Sequence, residues 1–237
     1  FRAFQSLGAD AAELTDDGRY LLISTTEGTD DRYAVSILDM RRPAAGVRPL
    51  ISGLDNKWEL VGSEGTRLIF LTDKDAPRGR LVTMDARRPS TPVEIVGQRE
   101  ATLQSAQRVG NRLILSYLGD ASSQAEIVDL AGNRVSQLTL GAIGTAAGFD
   151  GSAQSSETFY AFTSYNRPTT IYRLDTATNQ TTVFAAPAVS FDPNDYSIEQ
   201  RFFPSRDGTQ IPMFVVMKRG LDRSGGSPTI LYGYGGF

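Results

Sequence analysis

The residues with the most chemical potential stand at positions 228–237, Pro-Thr-Ile-Leu-Tyr-Gly-Tyr-Gly-Gly-Phe. Thr229 to Tyr232 read as a short buried strand running into a glycine-rich turn that carries aromatic rings. Glycines let a backbone bend and approach a ligand closely, and a tyrosine hydroxyl is a hydrogen-bond donor. Two readings of Tyr232, Tyr234 and Phe237 stay open: rings packing a strand end, or a hydroxyl aimed at a developing oxyanion. Other chemistry is limited by composition. The chain has no histidine and no cysteine. A Ser-His-Asp triad therefore cannot be assembled from these residues alone, and thiol catalysis, disulfides and cysteine metal sites are excluded. No Gly-x-Ser-x-Gly elbow and no phosphate-binding glycine loop occurs.

The elements that must position those residues repeat. A turn, a β-rich run, a polar loop and a second β-rich run ending at aspartate recur four times. The closing aspartates, Asp39, Asp85, Asp129 and Asp175, lie 46, 44 and 46 residues apart. A period of about 45 residues is that of a four-stranded propeller blade. The second unit shows all four runs, at 58–61, 67–71, 81–84 and 92–96. Outer runs recur at 47–51, 135–140 and 181–185. The runs are rich in Leu, Ile, Val, Tyr and Phe and are bounded by Gly, Asp, Asn and Pro, as strands are. No capped helical period appears between residues 10 and 187. The fold class is therefore all-β, part of a larger propeller. The closing aspartates are expected to be turn formers, and Trp58, the single tryptophan, a core residue.

After residue 187 the beat stops. Phe191 to Asp195 read as a linker, Tyr196 to Ser205 as a strand, Arg206-Asp207-Gly208-Thr209 as a tight turn and Gln210 to Met217 as the return strand. Two domains are expected, 1–190 and 191–237. Charged residues make up 22% and the net charge is −3, so nothing pulls the chain toward nucleic acid or an anionic membrane. No apolar run approaches the ~20 residues of a membrane helix. The chain opens at Phe1, and both ends read as cuts, so the compartment, cytoplasmic or periplasmic, is not legible.

Two blocks carry a family resemblance. Phe203-Pro204-Ser205-Arg206-Asp207-Gly208-Thr209-Gln210-Ile211-Pro212-Met213-Phe214 resembles the start of the peptidase domain in the prolyl oligopeptidase family of serine peptidases. Leu231-Tyr232-Gly233-Tyr234-Gly235-Gly236-Phe237 resembles the oxyanion region of the same domain. Upstream, Ala12 to Tyr20 and Glu27-Gly28 resemble the family's propeller.

The resemblance implies a seven-bladed propeller joined to an α/β-hydrolase domain, cleaving short peptides after proline, with the propeller restricting access. It implies that the chain holds about the last four, C-terminal blades and the first strands of the hydrolase domain. Tyr234 would donate its hydroxyl to the oxyanion, and Phe237 would line the pocket for the substrate proline. Mammalian members carry a substrate-facing cysteine where this chain has Thr29. The expected partners are proline-containing oligopeptides, with no nucleic acid, no membrane and no cofactor, since acyl transfer by side chains needs none. A monomer is expected. The 237 residues alone are expected to be inactive. The rival readings are a non-enzymatic binding propeller and a sister oligopeptidase of different specificity.

Overall fold

The computed structural model describes residues 10–88 and 91–233. Sixteen of its strands fall into four antiparallel four-stranded meanders. Blade 1 is β1 (Asp10–Leu14), β2 (Tyr20–Thr25), β3 (Ala34–Asp39) and β4 (Arg48–Ile51). Blade 2 is β5 (Trp58–Glu64), β6 (Arg67–Thr72), β7 (Arg80–Asp85) and β8 (Val93–Val96). Blade 3 is β9 (Thr102–Val109), β10 (Arg112–Gly119), β11 (Ser122–Asp129) and β12 (Arg134–Leu138). Blade 4 is β13 (Thr145–Gly148), β14 (Glu157–Ser164), β15 (Arg167–Asp175) and β16 (Gln180–Ala185). The helical content of the described residues is two 3-10 turns, Pro43–Ala45 and Pro193–Asp195.

Side-chain alternation explains how the blades stack. In β6, Leu68 and Phe70 join a cluster with Tyr20, Leu22, Val35 and Ile37 of blade 1. Ile69 and Leu71, pointing the other way, join Leu103, Leu113 and Leu115 of blade 3. In blade 3, Ile114 and Ile127 turn instead toward Tyr160 and Phe162 of blade 4. A strand with both faces covered reads as a continuous apolar run, and Leu68 to Leu71 is one. Trp58 is 6% exposed, and its ring meets Phe70 edge-on with centroids 5.9 Å apart.

The repeats also share irregularities. The third strand of every blade slips by one residue against the fourth, at Val35/Ser36, Leu81/Val82, Ile127/Val128 and Ile171/Tyr172. Such bulges bend a strand and increase its twist. The closing aspartates act as turn formers. Asp39, Asp85 and Asp175 each accept the backbone N–H two residues on, at 2.8–3.0 Å. Asp129 accepts from Ala131 and Asn133.

The chain divides into two compact units, residues 1–164 with 168–187, and 165–167 with 188–237. The second contains a hairpin of β17 (Tyr196–Pro204) and β18 (Gln210–Lys218). Its turn is closed by Ser205 N–H donating to the Thr209 carbonyl at 2.8 Å. One expectation fails here. Thr229 to Tyr232 form no strand, and Ile230, Leu231 and Tyr232 are 94%, 86% and 87% exposed. A strand needs a neighbour to take its N–H and C=O groups. No described strand runs beside this segment, so its apolar residues have nothing to bury against.

Candidate functional site

Tyr234 and Phe237, the two residues singled out for catalysis and substrate binding, lie outside the described residues. Tyr232 is described and is open to solvent. The remaining candidates sit on the blades, and strand order fixes where. In a run of four-stranded meanders, the connections from second to third strand and from one blade to the next fall at the same end. That end carries 26–33 and 73–79, the blade-to-blade connections 52–57 and 97–101, and the tight turn Asp120-Ala121.

Thr29 lies in the first of these, exposed, beside Glu27 and Gly28. The loop is shaped by its own polar groups. Asp30 N–H donates to the Glu27 carbonyl at 3.1 Å, and Thr26 Oγ1 donates to the Asp30 carbonyl at 2.7 Å. Gly28 has φ +62°, the left-handed conformation that glycine adopts without steric cost. The Asp30 carboxylate accepts from Arg32 through its side chain and backbone N–H, which holds its pKa down to about 2. Tyr33 N–H donates to the Asn56 carbonyl at 3.0 Å, tying the loop to the blade 1–blade 2 connection.

At the same end, blades 2 and 3 enclose a cleft of about 500 Å³ lined by Arg78, Arg99, Thr102, Tyr117, Asp120 and Gln124 among others. Behind it stands Glu126, a buried carboxylate on β11. Arg99 Nη2 lies 2.7 Å from Glu126 Oε1 and Arg134 Nε 3.6 Å from Oε2. Tyr117 Oη donates to Oε1 at 3.2 Å. Burial, reinforced by that carboxylate, raises the Tyr117 pKa, so the phenol stays a donor. The repeat pattern gave no sign of this group, because Glu126 reads as one polar residue at the start of the run that closes at Asp129. Among the described residues, no three carboxylates gather as a metal site would require.

A sequence profile described as "Prolyl oligopeptidase, N-terminal beta-propeller domain" matches residues 4–187. The chain belongs to the prolyl oligopeptidase family. That match corrects one expectation: the blades belong to the family's N-terminal propeller domain and are not assigned as C-terminal blades. The reason is physical, since a recurring four-strand unit reveals blades but not their place in a ring. A prolyl endopeptidase of Elizabethkingia meningoseptica is 35% identical over 228 residues, covering 95% of this chain and 32% of that protein. A solved structure from a study of two prolyl endopeptidases and their inter-domain dynamics superposes with a TM-score of 0.80 at 32% identity, over 92% of this chain and 32% of that one. Apo prolyl oligopeptidase B from Galerina marginata shares the fold, with a TM-score of 0.81 at 19% identity, over 90% of this chain and 32% of that one. The chain thus spans about a third of the length of the prolyl oligopeptidase relatives it matches.

Proposed function

We propose that this chain is the propeller portion, with the first strands of the α/β-hydrolase domain, of a monomeric serine-type prolyl endopeptidase. The enzyme hydrolyses short proline-containing peptides on the carboxyl side of proline, and the propeller restricts access to its active site. In this reading 191–237 begin the hydrolase domain. Tyr234 donates its hydroxyl to the oxyanion of the tetrahedral intermediate, and Phe237 walls the proline pocket. The histidine that serves as base must come from residues outside these 237, which contain none.

The observation that carries this reading is the extent of the similarity. An alignment covering 95% of the chain necessarily runs past residue 187, where the propeller profile ends. The relative it joins is named a prolyl endopeptidase. A binding propeller alone gives no reason for likeness to continue through the β17–β18 hairpin.

The test is hydrolysis of a peptide with one internal proline, followed by mass spectrometry. The full-length protein should cut after proline and lose activity to a serine-directed fluorophosphonate. The 237 residues alone should cut nothing. Cleavage elsewhere by the full protein would favour a sister specificity, and no cleavage would favour a binding propeller.

A further inference from the structure

The cleft between blades 2 and 3 holds one arginine in place with unusual care. Arg99 is paired with Glu126, whose side chain is only 5% exposed, and its guanidinium carbon sits 5.1 Å from the centroid of the Tyr117 ring. A buried carboxylate is costly to desolvate unless it is paired. Here it orients the guanidinium of a side chain that remains 44% exposed. A second guanidinium lines the same cleft: Arg78 donates through Nη1 to the Glu100 carbonyl at 2.7 Å. Its backbone N–H donates to Gln98 Oε1 at 2.7 Å, which fixes its base. The rim includes the two-residue hairpin turn Asp120-Ala121, with φ +48° and +57°.

The charges narrow the ligand. Two arginines suit a carboxylate, which a guanidinium meets edge to edge. Glu100 and Asp120 also line the cleft, and they oppose a dianion such as phosphate. A peptide's carboxyl terminus fits both features, because it places one carboxylate just beyond a backbone that offers amide N–H donors. The geometry points to a subsite for the free carboxyl terminus of a peptide, with Arg99 and Arg78 on the carboxylate and the acidic rim facing the preceding amides. This rests on the reading of the protein as a peptidase acting on short peptides. It adds that the propeller end holding this cleft engages the peptide's terminus.

The experiment uses the full-length protein and a proline-free octapeptide of glycine, alanine and serine, as free acid and as carboxyl-terminal amide, followed by calorimetric titration. The acid should bind at least about tenfold more tightly than the amide, the scale of one charge-assisted contact of about 1.4 kcal/mol. Arg78→Gln, a change at an exposed side chain, should erase that difference; Arg99→Lys should reduce it. Inorganic phosphate should not displace the acid. Equal binding of acid and amide, no binding of the acid, or an unchanged difference in Arg78→Gln overturns the subsite. Displacement by phosphate overturns it in favour of a general anion site. Cleavage after an internal proline is measured separately: its absence alongside retained discrimination defeats the peptidase reading alone, and its presence without discrimination defeats the subsite alone.

Discussion

Arg108 Nη1 lies 2.9 Å from Asp16 Oδ2, so blade 3 reaches the turn between the first two strands of blade 1 across blade 2. Ser63 of blade 2 completes the knot. Its backbone N–H and hydroxyl both donate to Asp16 Oδ2, at 2.7 and 3.1 Å, and its carbonyl accepts from Arg108. Asp16 N–H returns a bond to Ser63 Oγ at 2.9 Å. One carboxylate oxygen thereby collects donors from two neighbouring blades.

Arg108→Ala should lower unfolding free energy by about 2 kcal/mol, the scale of hydrogen bonds to a charged group. The Arg108 side chain is 13% exposed and Asp16 28%, so solvent screening is modest. Urea unfolding followed by tryptophan fluorescence measures it, with Trp58 as the probe within these residues. An unchanged midpoint would show that the three-blade contact contributes nothing net.

Gly62 belongs to the same knot. A Cβ placed there would lie 2.8 Å from Arg108 Cδ and 3.1 Å from its Cβ. Gly62→Ala should cost about 1–3 kcal/mol as an overpacking change. Much of that cost should vanish when Arg108 is already alanine. A double-mutant cycle reads the coupling directly, and strict additivity would remove steric contact with Arg108 as the cause.

The loop that carries Gly28 and Thr29 should respond to acid through Asp30. Its folded pKa is depressed to about 2 from the ordinary 3.8, first by the Arg32 side chain and then by the Arg32 backbone N–H. The stabilisation is therefore complete above 3.8 and is lost as pH falls through about 2. A carbon-13 titration should place the Asp30 midpoint near 2, and Arg32→Gln should raise it toward the ordinary value. A wild-type midpoint already at 3.8 would mean that the Arg32 contact does not persist in solution.

In the full-length protein, Tyr234→Phe should slow turnover of a proline peptide by roughly 10² or more while leaving KM little changed, as expected for a donor engaged in the transition state. Phe237→Ala should instead raise KM for proline over alanine at the scissile position. Equal effects on proline and alanine substrates would separate Phe237 from the proline pocket.

The blades were legible because their signal is local and repeated. Arg67 to Leu71 and Leu81 to Met84 announce strands by β-branched and aromatic content, and Asp85 announces the turn that follows. The third-to-fourth-strand bulges were not legible, since slipping one residue leaves composition unchanged. Glu126 was hidden because one acidic residue inside Glu126-Ile127-Val128 looks like an ordinary strand end. Its partners Arg99 and Tyr117 lie 27 and 9 residues away, in separate elements. Thr229 to Tyr232 misled for the opposite reason: β propensity marked a strand, but pairing is a property of the neighbour as well.

The alternation in β6, with Leu68 and Phe70 facing one blade and Ile69 and Leu71 the other, bears on cooperativity. Among the described residues, no hydrophobic cluster spans more than two blades, so apolar packing transmits stability from each blade to its neighbours, as in a linear array. Among the described residues, blades 2 and 3 carry such clusters on both faces, and amide exchange should be slowest in their central strands, β6 and β10. The Asp16–Ser63–Arg108 knot is then more than a local bond, because it is the one contact described above that skips a neighbour and couples the first blade to the third.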